Sequence, residues 1–211
     1  EGVVIMRVVR IALAVTIIVA VVTTFFYTAE RTPINPFNFF GYFTTQSNLL
    51  IAAVWLWVGF APAGGRIAGY LRAFATTYVA IVGVVYALLL APLGAAGGVP
   101  VPWANVVMHI IVPIFAVVDW IVVGDRHPLR WRALPLVLVY PLVWIVVVLI
   151  RGATDGWFPY PFLDPQNGYG SIAVVVLAIT AATIVVGAAV FALSCLTLWR
   201  VSAPERLVER G

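Results

Sequence analysis

The sequence predicts an all-α fold, a polytopic membrane protein with a six-transmembrane-helix bundle, and three observations predict it. The chain of 211 residues is 64% hydrophobic and only 9% charged, against roughly 45–50% apolar and 25% charged in soluble domains. Mean hydropathy is +1.09, and too few charges remain to build a surface facing water. Apolar runs of about 20 residues, long enough to cross a roughly 30 Å hydrocarbon core, recur six times. The arginines then sort by side in the way that six crossings require.

The first run, about 5–28, follows Arg7 and Arg10. Its apolar stretch from Ile11 to Tyr27 exceeds the roughly 7–15 residue core of a cleaved signal, so a retained helix is predicted. Thr32-Pro33 and Asn35-Pro36 end the turn into the second run, 37–61, which stops at Pro62-Ala63-Gly64-Gly65. The third, 70–93, ends before Gly97-Gly98-Val99-Pro100, and the fourth, 102–124, before Arg126-His127-Pro128. The fifth, 132–151, and the sixth, 171–198, flank the longest break, "GATDGWFPYPFLDPQNGYG". No repeat of fixed period stands out, and residues 1–211 read as one transmembrane domain.

All twelve basic residues are arginine. One side receives Arg7, Arg10, Arg66, Arg72, Arg126, Arg130, Arg132, Arg200, Arg206 and Arg210; the other receives Arg31 and Arg151. The positive-inside rule then puts both termini in the cytoplasm. The net charge of +4 is not gathered on a face, so no nucleic-acid partner is expected. Cys195, the single cysteine, leaves no intramolecular disulfide and no cysteine-built metal site. No metal and no cofactor are expected; a haem would want a second axial ligand, and His127 sits in a loop.

Polar residues at depth carry the functional question. Thr44, Thr45, Gln46, Ser47 and Asn48 stand in a row inside the second run. Thr44 lies seven residues past Phe37 and His109 seven past Pro102, so each sits about 10 Å below the same membrane boundary. Thr44, Ser47 and Asn48 share a helix face, as do Asn105 and His109. Tyr86 and Trp144 fall at that level on the third and fifth runs, with the 152–170 loop above.

Each residue also has a plainer reading. A membrane threonine commonly bonds its own i−4 carbonyl, and Gln46 and Ser47 suit interhelical bonds worth about 0.6–2 kcal/mol. Tyr27, Trp103 and Trp157 suit the interfacial belt. An intramembrane histidine is a functional candidate by default. Asp119, roughly 15 Å from His109 along the helix, is expected to pair with Arg72, Thr76 or Thr77.

The segments "GYFTTQSNLL" (41–50), "NVVMHIIVP" (105–113), "YPLVW" (140–144) and "WFPYPFL" (157–163) resemble, in order and spacing, the androgen-induced-protein family of multi-span membrane proteins. Animal members are atypical threonine hydrolases that cleave fatty acid esters of hydroxy fatty acids with a membrane-embedded Thr and His. The resemblance implies Thr44, within Tyr42-Phe43-Thr44, as nucleophile. It implies His109, within Met108-His109 and followed by Pro113, as base, with Asn105 four residues before it. The "TQSN" after Thr44 is a bacterial-looking variant, which implies a bacterial inner (plasma) membrane.

The chemistry is physically coherent. A threonine hydroxyl needs a neighbouring base, and low-dielectric surroundings favour the neutral imidazole that a base requires. Asn48, Asn105 and Tyr86 are candidates to orient the dyad or to donate to an oxyanion. Gln46, Ser47, Trp144, Trp157 and Tyr160 are pocket candidates. A lipid substrate would arrive sideways from the bilayer. A full triad would need Asp155 or Asp164 to fold inward. Two other readings stay open: a small transporter or channel, marked by a polar file from His109 to Asp119, and a non-catalytic lipid-sensing protein.

Overall fold

Six helices in the computed structural model are long and apolar enough to cross a membrane: Val4–Ala29, Phe43–Phe60, Arg66–Gly94, Pro102–Val122, Trp131–Thr154 and Tyr169–Leu193. The structure describes residues 2–60 and 65–196. Arg200, Arg206, Arg210 and the last two residues of the sixth predicted run lie outside the described residues, as does most of the Pro62–Gly65 turn.

One predicted helix divides. The second run splits into a short helix, Pro36–Gly41, and the main span, Phe43–Phe60, with Tyr42 extended (φ −64°, ψ 133°) between them. Asn35 caps the short helix by accepting from the Phe37 N–H at 2.9 Å. Gly41 ends it because the Trp157 indole occupies the space of a side chain: a Cβ there would lie 2.6 Å from the ring.

Two further spans are locally unwound, each just ahead of a proline. π-helical turns run from Tyr86 to Leu90, before Pro92, and from Val107 to Ile111, before Pro113. A proline removes one N–H and crowds the carbonyl four residues back, and a wider turn accommodates both. The Ala91 N–H reaches Tyr86 O and the Val112 N–H reaches Val107 O, each five residues back.

The third span is central, packing against the second, fourth and sixth. The first packs on the second and fourth. Lipid tails are as apolar as leucine, so close approach through small residues holds such helices together. Ala14, Ala20, Ala52, Ala75, Ala104 and Ala116 accordingly fill the core among the first four spans. Gly83 lets the third span meet the fourth, where a Cβ would come 2.9 Å from Pro113.

At the arginine-rich end, buried charges tie three spans together. Arg10 of the first grips Asp119 of the fourth through Nε and Nη2 at 2.8–3.2 Å. Arg72 of the third lies 3.4 Å from Asp119 and 2.6 Å from Asp125, which Arg10 also binds. The expected Asp119–Arg72 pair is present, but Arg10 is the closer partner, and Thr77 instead bonds Ala73 O. Arg10 and Arg72 are therefore core residues and not loop charges.

The fifth span is attached sparsely. Only 11% of its apolar window is buried within the protein, against 56% for the second. Its first turns, Trp131–Leu138, pack on the sixth span at Gly187. Its far half is held by side chains: Tyr140 stacks on Phe43 (5.2 Å), and the Trp144 Nε1–H donates to Gly41 O at 2.9 Å.

Candidate active site

The break at Tyr42 decides the state of Thr44. Several threonines in the spans, Thr24, Thr77, Thr180 and Thr183 among them, turn their hydroxyls back to the carbonyl four residues earlier. For Thr44 that carbonyl is Phe40 O, in the preceding helix, where it accepts from Gln46 Nε2. Thr44 also sits in the first turn of its span, where N–H groups lack intrahelical partners. Both of its donors are therefore free for tertiary contacts. The Thr44 N–H donates to the Tyr160 phenolic oxygen at 3.2 Å, and the two hydroxyls lie 3.2 Å apart.

Tyr160 comes from the loop between the fifth and sixth spans, set rigidly between Pro159 and Pro161. Burial pushes its phenol up to about 12, so it keeps its proton at neutral pH. Sequence reasoning placed Tyr160 in the pocket but missed this bond to Thr44. The flanking prolines were the available signal.

His109 occupies the middle of the second π turn and is buried. Its Nδ1 lies 3.2 Å from Asn105 O. A carbonyl can only accept, so this bond puts the proton on Nδ1 and leaves the lone pair on Nε2. Tyr86 stacks on the imidazole at 4.3 Å between centroids and accepts from Asn105 Nδ2 at 2.7 Å. Asn105 Oδ1 accepts from the Val99 N–H, and Gly98 leaves room for that contact, since a Cβ would sit 2.6 Å from it.

Asn48 joins the two halves. Its amide donates to Thr44 O at 2.9 Å and to Met108 O at 3.2 Å, clamping the Thr44 turn to the His109 turn. Both hydrogens of that amide are committed, which fits an orienting role and not an oxyanion donor. Asn105 commits one amide hydrogen to Tyr86.

Thr44, Thr45, Met108, His109, Trp157 and Tyr160 wall one cavity of about 480 Å³ at the aromatic end. The structure thus brings Thr44 and His109 to a shared space, with no hydrogen bond between them among the described residues. Gln46 and Ser47 line neither this cavity nor the cleft beside it. Helical rotation turns Gln46 toward the fifth span, where Tyr140 donates to it at 2.8 Å, and Ser47 is fully buried. Trp144 borders the cleft alone.

Neither loop carboxylate approaches the imidazole. Asp155 is held by Arg151 at 2.7 Å, and Asp164 caps the Gln166 N–H. The polar file expected of a channel is missing among the described residues, because buried Val112 and Ala116 stand between His109 and Asp119.

No curated protein and no solved structure matches the chain. The family model for FAR-17a/AIG1-like proteins matches residues 84–196, a stretch that holds Tyr86, Asn105, His109 and Tyr160 but begins after Thr44. That match covers more than half of the sequence, and the chain belongs to the FAR-17a/AIG1-like, or androgen-induced-protein, family.

Proposed function

We propose that the protein is an intramembrane hydrolase of lipid esters, with Thr44 as nucleophile and His109 as general base. One observation carries the reading: Thr44, a membrane threonine whose hydroxyl bonds a loop tyrosine and not its own backbone, shares a cavity with an imidazole whose Nε2 is left as acceptor. The resemblance to threonine hydrolases of fatty acid esters points to the same pair. By the arginine distribution, the aromatic end faces away from the cytoplasm.

The steps follow from the groups present. His109 Nε2 takes the Thr44 proton as Oγ1 bonds to the ester carbonyl carbon. The oxyanion forms beside the first turn of the span, where the Thr44 N–H points and where the Tyr160 phenol oxygen now sits. A substrate oxygen in that position would accept from the N–H and from the displaced phenol. The C–O bond to the alcohol then breaks, and the alcohol oxygen takes the proton from His109. Water entering the wide cavity gives a proton to His109 and its hydroxyl to the acyl carbon; the C–Oγ1 bond then breaks, Oγ1 takes the proton back from His109, and the acid leaves.

The test is hydrolysis of long-chain esters by purified protein in detergent or vesicles. Thr44→Ala and His109→Ala are each expected to lower kcat at least about 10³-fold while thermal unfolding stays near that of the parent. Parent-like turnover by both variants would end the proposal.

A further inference from the structure

Thr44, Tyr160 and Leu90 wall a second space as well as the wide cavity: a narrow cleft of about 80 Å³ between the third, fifth and sixth spans. His109 borders the wide cavity and not the cleft. The cleft is apolar along Val82, Val85, Leu138, Ile145, Val176 and Ile179. Its polar side chains are spent. Thr180 and Thr183 bond their own helix, and the Trp144 indole bonds Gly41 O. What remains is the pair of hydroxyls, Thr44 and Tyr160, at one end.

The cleft also has a direction. The turns at Trp131–Leu138 pack on the sixth span and close it toward the arginine-rich end. Phe162 and Leu163, from the short turn Pro161–Leu163 that packs on the sixth span, roof it at the aromatic end. The remaining side lies between the fifth and sixth helices, where lining residue Leu142 is 45% exposed. At that depth in a membrane protein the surroundings are lipid tails.

We propose that this cleft is the acyl-chain subsite, entered sideways from the bilayer, and that the alcohol portion of the ester occupies the wide cavity. The proposal rests on the hydrolase reading above, which fixes the two arms. The leaving alcohol must receive its proton from His109, so it lies on the cavity side. The acyl chain, bonded to Thr44 after the alcohol leaves, then has the other side. The cavity is lined partly by Thr28, Asn35 and Asn38, so it accepts a bulkier and more polar alcohol than the cleft could.

Two experiments test it. With one alcohol and acyl chains from acetyl to palmitoyl, parent kcat/KM is expected to rise on the order of fourfold per methylene until the cleft is filled. Ile179→Trp should flatten that series, lowering kcat/KM for long acyl chains far more than for acetyl. Leu142→Trp, on the lipid-facing rim, gives the same readout if the first variant folds poorly. A fatty acid carrying a terminal diazirine, in phosphatidylcholine vesicles with the parent protein, should cross-link to Ile145, Val176 or Ile179. Chain-length profiles identical in parent and variants, or cross-links confined to Phe39 and Phe158 of the wide cavity, would overturn the assignment. Cross-links in the cleft without turnover of any ester would sink the hydrolase and leave a lipid-chain site.

Discussion

In the proposed hydrolysis, Tyr160 is the residue on which the chemistry turns after Thr44 and His109. Its phenol meets both the N–H and the hydroxyl of Thr44. Tyr160→Phe removes one donor and little volume, so kcat is expected to fall on the order of 10²-fold with KM nearly constant. Steady-state kinetics on a long-chain ester checks the split, and an equal rise in KM would mean that the phenol serves binding alone. Thr44 and His109 were legible because polar side chains at matched depth are costly in hydrocarbon. The Thr44–Tyr160 bond was not, because it joins residues 116 positions apart, and Pro159 and Pro161 mark a stiff loop without saying which side chain it aims inward. Asn48 was legible as a polar donor, but its acceptors, Thr44 O and Met108 O, were not, since they are carbonyls that the sequence does not distinguish.

Among elements, the interface between the third and fourth spans sets the imidazole. Gly83 faces Pro113 and lies 3.5 Å, by its would-be Cβ, from His109 O. One turn on, Tyr86 stacks on His109. Gly83→Ala therefore inserts a methyl into a filled contact, which costs about 1–3 kcal/mol and parts Tyr86 from the ring. A lowered Tm together with lost ester hydrolysis is expected, and unchanged values of both would show that the contact has slack. All six spans could be read from apolar length alone. The break at Tyr42 could not, because it depends on the Trp157 ring arriving at Gly41 from the far loop. The π turns are marked in the chain by Pro92 and Pro113, but a proline alone does not say whether a helix kinks, ends or widens.

Across the whole molecule, the buried charges join the first, third and fourth spans at the end away from the site. Asp119→Asn leaves Arg10 without its main partner in a place 98% shielded from solvent, a loss of about 3–5 kcal/mol. Replacing Arg10 and Asp119 together by Met and Leu leaves Arg72 paired with Asp125 and should restore most of the Tm. Thermal unfolding of the parent and the two variants decides it: a double variant as unstable as Asp119→Asn would mean that the ions themselves, and not their balance, hold the spans. Burial alone would raise the Asp125 carboxyl, but Arg72 and Arg10 bring it down to about 2. Its contribution is complete above about pH 4 and is lost only as pH falls through about 2. The arginine asymmetry carried the expectation of topology, yet it hid that two of the counted charges serve as internal rivets.

The sparse seating of the fifth helix has a consequence for the membrane itself. A rod held at one end by packing and at the other by a few rings has its remaining flank supported by neighbouring lipids. The stiffness of those lipids then becomes part of the protein's own mechanics. In fluid, unsaturated tails the wedge beside that rod can widen and refill at little cost. In ordered, saturated tails the same widening works against lateral pressure, and the rate should break where the chains freeze.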